Sequence, residues 1–85
     1  MKLKNGYTLI EIDGSFKVLS PDNAQINDFD LSEYGAFLWH CLNKSELSNA
    51  ELLNKLLDAF QISTVLALGE IDTFIKKCKE NGILE

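Results

Sequence analysis

The residues of this chain that could do chemistry are few, and their spacing works against it. The only histidine, His40, adjoins a thiol, Cys41, and the other thiol is far off at Cys78. Neighbours on a helix project about 100° apart, so His40 and Cys41 cannot both face one ion. A structural zinc takes four ligands and a catalytic zinc three, which leaves this set short. The same geometry defeats a Cys–His nucleophile, and one histidine among apolar neighbours builds no Ser-His-Asp set. The 13 carboxylates are scattered over turns, caps and helix faces, with no pair placed for acid–base work. The 5 glycines are isolated, so no phosphate loop exists. The reading is a non-enzyme that needs no metal and no cofactor.

Charge narrows the partners. All 8 basic residues are lysines, and the net charge is −5. Without arginine the chain lacks the planar fork that reads guanine edges and clamps phosphates. An acidic surface also repels a nucleic-acid backbone at long range. Nucleic acid is therefore not the expected partner. The dense basic cluster is Lys76, Lys77 and Lys79, where a solvated helix end and an attractor for an acidic partner are both open readings.

With 85 residues and 46% hydrophobic content, one domain spanning 1–85 with a single modest core is expected. No apolar run approaches the roughly 18 residues that cross a bilayer. The opening Met1-Lys2-Leu3-Lys4-Asn5-Gly6 has no apolar stretch after its lysines, so no membrane and a cytoplasmic location with reduced, largely buried cysteines are expected.

The elements that would position any site fall in an uncommon order, with strands first and helices after. Residues 7–12 are β-branched and aromatic, Asp13-Gly14 is a two-residue hairpin turn, and 15–19 form the returning strand. Pro21 sits second in the turn 20–23. Residues 24–31 read as a short third strand on Ile26, Phe29 and Leu31, broken by Asn27, Asp28 and Asp30, which suit an exposed edge. Ser32 caps a first helix running to Leu42, with Gly35, Leu38, Trp39 and Leu42 on its apolar face. The spacing puts Trp39 in the core. Ser48-Asn49-Ala50-Glu51 is a capping box that opens a leucine-rich second helix. Ser63 caps a third helix with two apolar stripes. One runs Val65, Leu68, Ile71, Ile75 and Cys78; the other runs Ala67, Ile71, Phe74 and Cys78. That is more apolar surface than one docking face needs, and Phe74 could be core or line a groove. Asn81-Gly82 ends the helix.

These residues, in this order, resemble the PqqD-like family, the recognition elements of ribosomally made, post-translationally modified peptides. The family pattern opens its first helix on Leu-Asn-Glu-Thr-Gly-Ala-x-x-Trp, where this chain has Leu31-Ser32-Glu33-Tyr34-Gly35-Ala36-Phe37-Leu38-Trp39. A leucine-rich helix follows, then a Tyr-Asp-Val-Asp-like link, matched by Phe60-Gln61-Ile62-Ser63. The third helix, Ala-x-x-Asp-Val-x-x-Phe-Leu, is matched by Ala67-Leu68-Gly69-Glu70-Ile71-Asp72-Thr73-Phe74-Ile75, and the ending Gly-Leu-Leu by Gly82-Ile83-Leu84. The resemblance covers essentially the whole chain. Ser32 keeps a capping oxygen, whereas Glu70, longer than aspartate, would re-aim any polar contact.

The resemblance implies an α+β, winged-helix-like fold, a three-stranded antiparallel sheet followed by three helices. It also implies a function: binding the leader segment of a precursor peptide as an added strand and presenting it to a separate modifying enzyme, most often a radical SAM protein. In the family the added strand docks on strand three against helix three. That implies a site of Ile26, Asn27, Asp28 and Phe29 with Ala67, Ile71, Phe74, Lys77 and Cys78. Two other readings stay open. One is a winged-helix DNA-binding regulator, although helix three opens without a base. The other is a scaffold that buries its apolar surplus against a second copy as a homodimer.

Overall fold

The computed structural model describes the backbone of residues 1–85 and every side chain except those of Asn27 and Asp28. Three strands come first: β1 (Thr8–Ile12), β2 (Ser15–Leu19) and β3 (Gln25–Leu31). Three helices follow: α1 (Glu33–Lys44), α2 (Asn49–Ala59) and α3 (Thr64–Glu80). The strands form one antiparallel sheet in the order β1-β2-β3, which leaves β3 at an edge. This is the α+β, winged-helix-like arrangement that the sequence led us to expect.

Local chemistry accounts for most of the boundaries. Asp13 and Gly14 both take positive φ, 51° and 81°, the backbone twist that a tight hairpin requires. Each helix starts on a serine whose side chain accepts from the third amide beyond it: Ser32 from Gly35 N at 3.2 Å, Ser48 from Glu51 N at 3.2 Å, and Ser63 from Leu66 N at 3.1 Å. Glu51 reaches back to the Ser48 amide at 3.0 Å and completes the capping box. Helix α1 continues past the expected stop at Leu42, as far as Lys44. Neither Asn43 nor Lys44 breaks a helix, and the lysine cation suits its C-terminal end. The chain turns instead at Ser45, whose amide donates to the Cys41 carbonyl at 3.3 Å.

One hydrophobic core joins the layers. Val18, Phe29 and Leu31 come from the sheet, Leu38, Trp39 and Leu42 from α1, and Leu52 and Leu56 from α2. Trp39 is buried there, as its spacing indicated. Of the two apolar stripes expected on α3, the one made of Ala67, Ile71, Phe74 and Cys78 is buried. The other is not: Val65 is 81% exposed and Leu68 51% exposed. The two stripes diverge at the start of α3, and only one of them turns toward the core there. The chain ends are also tied together. Leu3 and Leu84 form an antiparallel bridge, and the Lys4 amide donates to the Ile83 carbonyl at 2.7 Å.

Candidate functional site

The β2–β3 ladder is regular only near its end. Phe16 pairs with Leu31 and Lys17 with Asp30, but the next partners are Leu19 and Gln25. Here β3 uses more residues than β2 over the same stretch, which makes a bulge that bends the strand and shortens its flat edge. On the regular side of the bulge the edge runs through Asp30. Its carbonyl accepts from the Lys77 ammonium at 2.6 Å, so it points away from β2 and toward α3. In an antiparallel ladder a residue whose carbonyl points outward presents its amide on the same side. Asp30 thus offers both main-chain groups to the space beside α3. The edge ends one step later, because the Ser32 carbonyl already accepts from Ala36 N at 2.9 Å to begin α1.

Adjoining that space, with Lys77 shared, is a groove of about 240 Å³ lined by Leu31, Ser32, Gly35, Glu70, Thr73, Phe74 and Lys77. Its α3 wall is the polar stripe Glu70, Thr73 and Lys77, three- and four-residue steps along one helix face. Phe74, only 1% exposed, closes the floor. Gly35 eases the close approach of α1 and β3: a Cβ there would meet Leu31 Cδ2 at 3.1 Å, and the leucine would have to give way. Ser32 donates to Glu70 Oε2 at 3.2 Å while it caps α1, so one hydroxyl ties α3 to the helix start. On the sheet, Lys17 and Asp30 form an ion pair, which neutralises the carboxylate nearest the edge.

The residues expected at the site are divided by this geometry. Lys77 and Phe74 line the groove. Ile26 is half-buried on β3 and packs against the core. The side chains of Asn27 and Asp28 lie outside the described residues. Phe29, Ala67, Ile71 and Cys78 are buried in the core. Enclosed on all sides, these apolar side chains present no free surface in this conformation. Burial also pushes the Cys78 thiol up to about 12, so it stays a thiol. Sequence reasoning missed Leu31, Ser32, Gly35, Glu70 and Thr73 as groove residues. A usable signal existed in the polar stripe of α3 that flanks the buried one, beginning with the Glu70 that departs from the family pattern.

A second, wider groove of about 710 Å³ lies between α1 and α2, lined by Phe37, His40, Cys41, Lys44, Ser45, Lys55, Asp58 and Ala59. One of its walls is stiffened by Phe60, packed edge-on against Tyr34 and Phe37 with ring centroids 4.9 and 5.4 Å apart. Partial burial raises the Cys41 thiol against the opposing pull of Lys55 and Lys44, so this groove does not activate it as a nucleophile. Among the described residues no group of three or more His, Cys, Asp or Glu is placed to hold a metal ion. No helix among them is long and apolar enough to cross a membrane.

No family model matches the sequence, and no curated protein matches it. Among solved structures the chain is similar to TbiB1 in complex with the TbiA(beta) leader peptide. The TM-score is 0.73 at 16% identity, over 100% of this chain and 95% of that one. The likeness is one of fold.

Proposed function

We propose that this chain is a PqqD-like recognition element. It holds the leader segment of a precursor peptide as a strand added between β3 and α3 and presents it to a separate modifying enzyme of the radical SAM type. The observation that carries the reading is the outward Asp30 carbonyl, bonded to Lys77 beside a groove walled by α3. Strand addition needs such a pair: an edge supplies main-chain bonds for affinity, and a flanking wall supplies side-chain selectivity. The fold shared with TbiB1, a protein solved with a leader peptide bound, supports it. The proposed site is Ile26, Asn27, Asp28 and the Asp30 main chain on β3, with Lys77 on α3. Phe29, Ala67, Ile71, Phe74 and Cys78 lie beneath as support. The role is binding, not catalysis, and the expected setting is the bacterial cytoplasm.

A library of extended synthetic peptides, screened by fluorescence anisotropy and followed up by amide NMR, tests this. Binders should shift the amides of Asp30 and Ser32 and those of 70–77. Shifts concentrated between α1 and α2 would reject it.

The exposed Val65, Leu66 and Leu68 favour a second reading, self-association through the start of α3. Light scattering separates the two: a dimer whose mass persists with peptide bound uses a different surface, whereas one that peptide dissolves competes for the groove. A DNA-binding role gains nothing from α3, whose first base is Lys76.

A further inference from the structure

We infer that the β3–α3 groove selects the charge order of its peptide: a basic side chain opposite Glu70 precedes an acidic one opposite Lys77. The inference rests on the strand-addition reading above and names what that strand must carry.

Glu70 and Lys77 stand at opposite ends of the groove wall, seven residues apart on one face of α3. At 1.5 Å per residue that is about 10 Å along the helix. An extended strand rises about 3.3 Å per residue and returns a side chain to the same face at every second position. The two charges of the peptide therefore sit two to four residues apart. Both protein groups keep capacity for a ligand. Glu70 uses Oε2 toward Ser32, but a carboxylate accepts several hydrogen bonds. Lys77 spends one donor of three on the Asp30 carbonyl.

That last bond makes Lys77 more than a charge on the rim. The Asp30 carbonyl is the acceptor an incoming strand must use, and the Lys77 ammonium occupies it at 2.6 Å. Strand addition replaces the ammonium with a peptide amide and sets Lys77 free. An acidic side chain at that position takes up the released cation, so the exchange keeps a charge-assisted bond on both sides. A peptide with a neutral residue there leaves the cation without a partner, and one with a base there repels it.

Direction follows from topology. β3 passes Lys77 at Asp30 and then reaches Glu70 at Ser32. Antiparallel pairing, used throughout this sheet and somewhat stronger per residue, runs the peptide the other way, from Glu70 to Lys77. The base then comes first in the sequence and the acid second.

Two synthetic peptides of identical composition test this, a Thr/Val-rich strand carrying Lys before Asp and the same strand with the two exchanged. Affinities for the unmodified protein should differ by about 3- to 10-fold in favour of Lys before Asp, the scale of two exposed pairs. The doubly exchanged variant Glu70→Lys/Lys77→Glu should prefer the opposite order. Glu70→Gln and Lys77→Met, which keep shape without charge, should each remove about half of the discrimination on a logarithmic scale. Equal binding of both peptides, with Asp30 and Ser32 amides still shifting, overturns the charge order and leaves strand addition standing. Preference for Asp before Lys overturns the direction. Binding of neither peptide, with no library peptide shifting those amides, removes the strand-addition reading and this inference with it.

Discussion

The α1–α2 and β3–α3 grooves differ in a way that size alone would misjudge. The one between α1 and α2 holds about 710 Å³, and the one between β3 and α3 about 240 Å³. The wider has two helical walls, whose main-chain groups are spent on their own hydrogen bonds. The narrower is walled by α3 and the start of α1 and meets the end of β3, where the adjoining Asp30 carbonyl faces outward to Lys77. Side chains on a helix pair can admit a ligand, but only an open edge can bind a peptide through atoms that every peptide has. Main chain that faces outward at Asp30, held there by the Lys77 side chain, is what favours the narrower groove in our proposal.

The largest loss is expected at α1, which lends residues to both grooves and whose Trp39 is buried in the core. Trp39→Ala should lower unfolding stability by about 3–5 kcal/mol, read by chemical denaturation. That is much of what so small a domain holds, so both grooves should loosen together. A loss below about 1 kcal/mol would mean that the two grooves are supported separately.

A change confined to one groove comes next. Asp30→Pro deletes the outward amide of the edge and spares the ladder to β2. Peptide affinity should fall about tenfold by anisotropy, while stability drops only about 1–2 kcal/mol, part of it from the lost Lys17 pair. Unimpaired peptide binding in a folded Asp30→Pro protein would transfer the site away from β3.

The thiols sharpen the contrast with a smaller effect. Cys41 is half-exposed in the wide groove, and Cys78 is buried with its thiol pushed up to about 12. With iodoacetamide at mildly alkaline pH, mass spectrometry should find Cys41 modified first and Cys78 protected until the chain unfolds. The Cys41 rate should climb with pH, because its raised pKa leaves little thiolate near neutrality. Peptide affinity should survive alkylation of Cys41; its loss would favour the wide groove.

The smallest effect lies outside both grooves, at the start of α2. Hydrogen bonds from the Ser48 backbone amide and side chain hold the Glu51 carboxyl below its usual 4.5. A depressed carboxylate stabilises the fold above its unfolded pKa, and that contribution is lost as pH falls through the lower folded value. The melting temperature should therefore decline slightly more steeply below about pH 4.5 in the parent than in Ser48→Ala. Parallel pH profiles would show that the Ser48 side chain adds nothing to the depression and that the backbone amide alone sets it.

Short-range chemistry made much of this protein legible without a structure. Asp13-Gly14, the three capping serines and Trp39 act within a few residues of themselves, through positive φ, an orphan amide or a helical period. The strand and helix order followed from them. The basic Lys77 was legible as a candidate because a lysine cluster is visible in any sequence. Other features depended on which elements came to lie side by side. Val65 and Leu68 read as part of an apolar surplus on α3, but which of its two stripes would stay exposed was not legible, because periodicity marks a helix face and not the neighbour it meets. Phe29, Ala67, Ile71 and Cys78 read as contacts and became the core, since apolar residues suit both roles and only packing density separates them. The Lys77 bond to Asp30 and the Ser32 bond to Glu70 join residues far apart in sequence. No local pattern encodes them, because their partners meet only when α3 closes against the edge of the sheet.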